Sequence, residues 1–188
     1  MAFATWLVGH GAPLGRVLEL GAGTGFLGLA LVESGAAASA TLTDEFVGLC
    51  AHNAAAFLRS RPAAAVDVRR LRWGDAADAP GAFDVVVGAE LTPMDGGHAA
   101  LAAELARHRR SVLALSPCPS RAPVACVRSP PCATHKFLGA ARSAGVTLAD
   151  LVYDAPAAAP TAGLDLAFAD DSDVFWAATF EGAPPRAG

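Results

Sequence analysis

An acidic residue followed by closely spaced glycines is the part of this sequence best suited to chemistry. Residues 17–20 are apolar apart from Glu19, and Gly21, Ala22 and Gly23 follow directly. Glycine adopts the positive φ angles that a tight turn needs and lets backbone N–H groups approach a ligand closely. Glu19 can bind an ammonium group, and the N–H groups that open the next helix can bind a carboxylate. The stretch predicts a site for a nucleotide-like ligand.

The spacing of the glycines indicates which class of ligand this is. The fingerprint of dinucleotide-binding domains places a third glycine three residues after the second. Counted from Gly21 and Gly23, that position is Phe26, and the additional glycine stands earlier, at Gly25. An oxidoreductase using NAD(P) is also disfavoured because the sequence has no Tyr-x-x-x-Lys pair. An acidic residue before Gly-x-Gly-x-Gly instead resembles the class I methyltransferases, which bind S-adenosylmethionine.

Residues with suitable chemistry also stand at the ends of three other predicted strands. Asp44 ends the second strand, where a carboxylate accepts hydrogen bonds from ribose hydroxyls. Trp73 ends the third, and stacking of its ring on a base would contribute about 1–3 kcal/mol. Ala89 and Glu90 end the fourth strand. Each has a structural alternative: Asp44 as a helix N-cap, Trp73 as a core residue and Glu90 as an acid at the entry to a helix.

The elements that must position these residues alternate between strand and helix. The predicted strands are residues 16–20, 40–43, 66–73, 83–89, 146–153 and 173–180, and the predicted helices are 25–34, 45–60, 98–107 and 134–144. Residues 111–116 and 123–128 both have a strand pattern, and pattern alone favours 111–116 as the fifth strand. This alternation predicts an α/β fold, a Rossmann-like seven-stranded mostly parallel sheet with helices on both faces. It forms one domain, residues 1–180, and residues 181–188 are predicted to be a disordered tail.

Composition narrows the class of protein. The chain has 188 residues, of which 53% are hydrophobic and 17% charged, which is typical of one folded domain. A net charge of −4 argues against nucleic acid as a partner. Apolar runs stop well short of the ~20 residues that cross a membrane, and no basic leader precedes them, so we expect a cytoplasmic protein. The four cysteines and five histidines have no metal-site spacing, and no metal is expected.

Four segments together carry a closer resemblance. Residues 17–25, 42–44, 71–74 and 83–90 are similar to motifs of the seven-β-strand class I protein-lysine methyltransferases, the group that includes enzymes modifying elongation factor 2, chaperones and calmodulin. The resemblance extends from residue 16 to residue 180, and the segment 127–137 is most similar to the branch that modifies elongation factor 2. It implies S-adenosylmethionine as cofactor and a protein substrate, such as a translation factor or a chaperone.

The resemblance also implies roles for individual residues. The residues implied in binding the cofactor are Glu19, Gly21, Ala22, Gly23, Asp44, Trp73 and Ala89. Ala89 lies where the backbone of the fourth strand runs beside the sulfonium, and its small side chain leaves space for that group. Glu90 is the implied catalytic residue: its carboxylate aligns the neutral lysine amine and stabilises the ammonium that forms. The sulfonium charge helps to keep the amine neutral, because a nearby positive charge lowers the pKa of lysine.

The chain departs from this family in places. The comparison makes 123–128 the fifth strand and 111–116 a linker. Trp6 is too close to Gly21 to be the upstream tryptophan with which the family covers the cofactor, so we expect this cover to be missing. Residues 90–93 read Glu-Leu-Thr-Pro where the family has Asp-x-x-Tyr. Two alternatives therefore stay open: a small-molecule methyltransferase, and a catalytically impaired cofactor-binding relic that acts as an interaction module.

Overall fold

The computed structural model describes residues 2–9, 12–75, 81–91, 96–115, 133–155 and 175–182. The strands within these ranges are β1 (Gly15–Leu20), β2 (Ala37–Asp44), β3 (Val66–Arg70), β4 (Val85–Ala89), β5 (Arg110–Leu115), β6 (Thr147–Ala155) and β7 (Phe175–Glu181). The helices are α1 (Ala2–Gly9), α2 (Phe26–Glu33), α3 (Gly48–Ser60), α4 (His98–Leu105) and α5 (Ala133–Ser143).

The seven strands form one sheet in the order β3-β2-β1-β4-β5-β7-β6. In this order each of the strands from β3 to β5 is parallel to its neighbour within that group. Strand β7 runs antiparallel to both β5 and β6. The predicted Rossmann-like fold is confirmed. Because the chain order reverses between β1 and β4, the crevice for a ligand lies at the carboxyl ends of these two strands.

Alternate residues of the central strands belong to two separate hydrophobic cores, one on each face of the sheet. Val17 pairs in register with Val85, and both pack against α1 and α2. Their neighbours Leu18 and Val86 point to the opposite face, where α4 and α5 cover them. Helix α3 packs on β2, on the same face as α2. Since successive side chains of a strand alternate between faces, both faces of β1 and β4 are buried, and helices cover both sides of the sheet as predicted.

Two element boundaries differ from the sequence prediction near the carboxyl ends of the strands. Helix α3 begins at Gly48 and not at residue 45, because the Asp44 side chain accepts a hydrogen bond from the N–H of Phe46 and holds the chain in a local turn. The prediction that Trp73 ends a strand was wrong: β3 ends at Arg70, and Trp73 lies in the turn that follows. A hydrogen bond from the N–H of Asp75 to the carbonyl of residue 72 (3.1 Å) closes this turn.

The fifth strand and the last strand decide two other predictions. Strand β5 lies at residues 110–115, so pattern alone located it correctly, and the assignment of 111–116 to a linker was wrong. The rival segment 123–128 lies outside the described residues. Strand β7 continues through Glu181, which pairs with Arg110 and is therefore not part of a tail. Residues 183–188 lie outside the described part of the chain.

The described residues also bear on membrane and metal sites. Within the ranges given above, none of the helices is both long and apolar enough to span a bilayer. The same ranges contain no group of three or more His, Cys, Asp or Glu side chains arranged to hold a metal ion.

Candidate functional site

The carboxylate of Asp44 joins the glycine turn to the end of β2. Its Oδ2 accepts a hydrogen bond from the N–H of Gly23, and its Oδ1 accepts one from the N–H of Phe46, both at 2.9 Å. A carboxylate has about four acceptor positions, so each oxygen keeps capacity for a hydroxyl group. The alternative of a helix N-cap was wrong, because α3 is preceded by Val47 with no side-chain cap.

Glu19 is a buried carboxyl group directly below the glycine turn. Only 4% of the residue is exposed, and its Oε2 accepts a hydrogen bond from the N–H of Gly28 at 2.9 Å. Burial raises the pKa of Glu19 to about 8; the Gly28 N–H opposes this shift and the charge of Asp44 adds to it. Glu19 belongs to none of the salt bridges among the described residues. The site therefore has a buried acid suited to a ligand's cation.

Gly28 is a functional glycine that the sequence analysis passed over. A Cβ atom at this position would lie 2.2 Å from Cδ2 of Leu42 and 2.7 Å from Oε2 of Glu19. Only glycine allows this close contact between α2, β2 and the Glu19 carboxylate. This packing glycine stands two residues after Phe26, the position at which the fingerprint counted from Gly21 and Gly23 would place its third glycine. The available signal was the spacing Gly23-x-Gly25-x-x-Gly28, which is missed when the count starts at Gly21.

We expect Gly28→Ala to lower the free energy of unfolding by about 1–3 kcal/mol, because the added methyl group overpacks the contact with Leu42. Denaturant unfolding followed by circular dichroism measures this change. Gly48→Ala is the matched control, since Gly48 is also helical, has a negative φ and has no atom within 4 Å of a Cβ placed there. It should leave stability unchanged or raise it by up to about 1 kcal/mol. Equal stability of the two variants would contradict this assignment.

Two cavities meet at the junction of β1 and β4. The larger, about 770 Å³, is lined by Asp44, Trp73 and Glu90 among other residues. The smaller, about 180 Å³, is lined among others by Glu19 and by Ala22 of the glycine turn. Both cavities are lined by Gly21 and Ala89. The structure thus brings together seven of the eight predicted site residues around two adjoining cavities.

The eighth residue, Gly23, lines neither cavity. Its N–H holds the Asp44 carboxylate, and a Cβ at this position would meet open space. Its φ of +54° is a conformation that side chains rarely adopt. Gly23 therefore shapes the turn and orients Asp44.

Trp73 forms one wall of the larger cavity. Its indole ring lies beside the glycine turn and the start of α4: a Cβ on Gly21 would lie 3.5 Å from Cζ2, and one on Gly97 would lie 3.7 Å from Cζ3. The ring also packs against the core on the α4 side of the sheet. The core-packing alternative for Trp73 is therefore confirmed, and its stacking on a base stays a prediction.

Glu90 has an unusual backbone conformation at the end of β4. Its φ is +56°, and it is the one non-glycine residue with positive φ among the described residues. Its N–H donates to the carbonyl of Ala114 at 3.2 Å, which fixes this conformation against β5. Strained residues of this kind cost about 1–3 kcal/mol and cluster at functional sites. The alternative of a helix-entry acid was wrong, because α4 begins at His98 with Gly97 as its N-cap.

Other residues at the mouth of the larger cavity were missed or underrated. Phe46 is 80% exposed and Leu91 is half-buried, and both line this cavity. Glu45 and Arg72 line it too and form an ion pair. Phe46 could have been predicted as part of this lining because it stands two residues after Asp44. Asp75, two residues after Trp73, is exposed and does not line the cavity.

The fold and the site define the class of the protein. A doubly wound sheet with a glycine turn after β1 and acidic residues at the ends of β1 and β2 is a Rossmann-like ligand-binding domain. Residues 10–111, more than half of the chain, match the sequence model of the lysine methyltransferase family, and the chain belongs to this family. A search of curated protein sequences gave no significant match.

Solved structures with the same fold have diverse activities. A candidate sarcosine dimethylglycine methyltransferase from Galdieria sulphuraria superposes with a TM-score of 0.60 and 14% identity, covering 80% of this chain and 62% of that one. The cyclase SpnF superposes with a TM-score of 0.61 and 19% identity, covering 81% of this chain and 59% of SpnF. A Haloferax volcanii protein in complex with the methyltransferase activator Trm112 superposes with a TM-score of 0.64 and 15% identity, covering 98% of this chain and 92% of that one. The chain thus spans about three fifths of the first two. At these identities the likeness establishes the fold alone.

Membership of the family implies S-adenosylmethionine as methyl donor. The residues present fit this molecule. Its amino-acid part carries an ammonium, and the buried Glu19 has no cationic partner among the described residues. Its ribose needs acceptors, and Asp44 keeps acceptor capacity at the mouth of the larger cavity. Its adenine needs an apolar wall, which Trp73 provides.

Proposed function

We propose that this protein transfers methyl groups from S-adenosylmethionine to a lysine side chain of a protein substrate. The observation that carries the proposal is Glu90, a strained acidic residue at the rim of the larger cavity. It follows Ala89, where the two cavities meet. A carboxylate at this place is suited to an amine acceptor, and membership of the lysine methyltransferase family supports the same acceptor.

The proposed cofactor contacts follow from the two cavities. Glu19 binds the ammonium group, and the N–H groups of Phe26 and Leu27, which have no intrahelical partner at the start of α2, bind the carboxylate. The N–H of Gly25, expected to share this role, donates instead to the carbonyl of Ala22 at 2.7 Å. In the larger cavity Asp44 accepts the ribose hydroxyls and Trp73 packs against adenine.

Glu90 has the proposed catalytic role. S-adenosylmethionine supplies an electrophilic methyl group on a positively charged sulfur. The displacement is in line, so positioning of the acceptor and exclusion of water provide most of the catalysis. Glu90 accepts a hydrogen bond from the neutral amine and aligns its lone pair. As the nitrogen becomes cationic, the same carboxylate stabilises the new charge.

The charges around the larger cavity support a cationic side chain as acceptor. Asp44, Glu45 and Glu90 line it, and Arg72, the basic residue of its described lining, is paired with Glu45. A negative cavity attracts a lysine side chain from solution. We propose a translation factor or a chaperone in the cytoplasm as substrate. The similarity to the branch that modifies elongation factor 2 rests on residues 127–137, of which 127–132 lie outside the described residues.

Methyl transfer in a cell extract tests this proposal. Purified protein is incubated with tritiated S-adenosylmethionine and an extract from cells that do not make the protein. The label is then followed in the protein fraction and in the small-molecule fraction. We expect label in protein, at a lysine identified by mass spectrometry, and far less label in the same time with Glu90→Gln. Label confined to small molecules would show a small-molecule methyltransferase instead. Absence of S-adenosylmethionine binding in calorimetry would favour the non-catalytic alternative.

A further inference from the structure

Helix α1 forms one side of the smaller cavity. Phe3 and Ala4 line it from α1, opposite Glu19 and the first residues of α2. Both are buried, and the Phe3 ring stacks on Trp6 with centroids 6.1 Å apart and planes 19° apart. Leu7, one turn further, anchors α1 in the core shared with α2 and the sheet. The absence of a cover over the cofactor, expected from the sequence, stays a prediction, and α1 contributes two residues to the lining of this cavity.

The size of the smaller cavity limits what it can hold. Its volume is about 180 Å³. This is less than a quarter of the volume of the larger cavity, about 770 Å³. The amino-acid tail of S-adenosylmethionine is the smaller part of the molecule and suits the smaller cavity, whereas adenosine requires the larger one.

The polar groups of the smaller cavity match both charges of an amino-acid tail. Glu19 provides a buried acid for an ammonium group, and its Oε2 is already oriented by the N–H of Gly28. Phe26 and Leu27, which also line the cavity, are the first residues of α2 and have N–H groups directed away from the helix. One zwitterionic group can therefore interact with an acid and with a helix N-terminus at the same time.

We infer that α1 determines which methyl donors the protein accepts, with Ala4 setting the permitted size of the tail and Phe3 sealing it from water. The inference rests on the proposed function, because it concerns the donor of that reaction. Replacing Ala4 by leucine adds three carbon atoms to the wall of the smaller cavity and overpacks it. Replacing Phe3 by alanine exposes the interaction between Glu19 and the ammonium group of the tail to solvent, and water weakens this charge interaction.

Calorimetric titration with two ligands tests this inference. The ligands are S-adenosylmethionine and 5′-methylthioadenosine, which has the same nucleoside and sulfur but no amino-acid tail. For Ala4→Leu we expect about a 30-fold or greater rise in Kd for S-adenosylmethionine. The Kd for methylthioadenosine should stay within about twofold of wild type, since it uses only the larger cavity; this second ligand also reports that the variant is folded.

A matched pair of truncations on α1 provides the second measurement. Phe3→Ala should raise the Kd for S-adenosylmethionine by about 5- to 10-fold relative to methylthioadenosine. Leu7→Ala is the control: Leu7 is on the same helix and equally buried in the same core, but it does not line the cavity. It should leave the ratio of the two Kd values unchanged, although both truncations lower stability.

The outcomes separate this inference from the proposed function. An unchanged Kd ratio in Ala4→Leu, or equal changes in Phe3→Ala and Leu7→Ala, would overturn the role of α1 and leave the proposed function intact. Wild-type protein that does not bind S-adenosylmethionine would overturn both. A loss confined to the ligand with the tail, in Ala4→Leu and Phe3→Ala only, would support the inference.

Discussion

Glu90→Gln should lower the kcat of methyl transfer by about 10²- to 10³-fold, the usual cost of removing one group that stabilises charge in the transition state. The substitution keeps the size of the side chain and removes the negative charge that faces the forming ammonium. The Kd for S-adenosylmethionine should stay within about twofold, since the proposed cofactor contacts come from other residues. Single-turnover transfer from labelled donor measures kcat, and calorimetry measures Kd.

Two other substitutions test whether the effect belongs to Glu90 itself. Glu45→Gln removes another carboxylate from the lining of the same cavity, one already paired with Arg72, and should change kcat by less than about threefold. Glu90→Gly removes both the carboxylate and the strain of a positive φ, so it should abolish transfer while raising the free energy of unfolding by about 1 kcal/mol. Equal losses in Glu45→Gln and Glu90→Gln would contradict a specific role for Glu90.

Binding of S-adenosylmethionine should release close to one proton at pH 7, and this release should disappear in Glu19→Gln. Burial raises the pKa of Glu19 to about 8, so the ligand-free protein holds a neutral carboxyl group at pH 7. The ammonium of the bound cofactor favours the carboxylate and lowers this pKa. Affinity should therefore rise between pH 6 and about pH 8. It should stop rising above that, where a free α-amino group loses its own proton at about pH 8.

Calorimetry in two buffers with different ionisation enthalpies counts the protons released. Methylthioadenosine is the control ligand, because it has no amino group and should release none. Glu19→Gln should also weaken S-adenosylmethionine about 10- to 100-fold at pH 8, which corresponds to the loss of a hydrogen bond between charged groups. Binding of S-adenosylmethionine without proton release in wild-type protein would exclude Glu19 as the ammonium partner.

The same group gives the ligand-free protein a stability that depends on pH. The unfolded chain loses the Glu19 proton near the ordinary pKa of 4.5, whereas the folded protein keeps it up to about pH 8. Between these values the folded state binds more protons, so the contribution of Glu19 to stability is fully present below pH 4.5 and decreases as the pH rises towards 8. Denaturant unfolding of wild type and Glu19→Gln across this range should show the difference.

Much of the fold was predictable because its signals are local. Within the predicted strand 83–89, residues 85–89 are a continuous apolar run, and these residues form the central strand β4. Residues 111–116 show the same kind of signal, and there the local pattern was right where the family resemblance was not. The predicted position of Trp73 failed for a non-local reason. The end of β3 is set by its pairing with β2, which stops at Arg70.

The site residues at strand ends were predictable from topology, because the carboxyl ends of parallel strands meet at one edge of the sheet. This rule places Glu19, Asp44 and Glu90 at the same edge once their strands are recognised in the sequence. The role of α1 was not predictable in this way. Its sequence is apolar almost throughout and gives no face that points to a ligand, so only its packing identifies Phe3 and Ala4 as cavity walls.

The meeting of the two cavities at Gly21 and Ala89 has a consequence for turnover. S-adenosylhomocysteine, the spent donor, has lost one methyl group and the charge on sulfur, but it keeps the nucleoside and the amino-acid tail. In the proposed binding mode it would keep nearly all of the contacts of the fresh donor. We therefore expect product inhibition, with a rate in the cell that depends on how fast the spent donor is removed from solution as well as on the supply of acceptor.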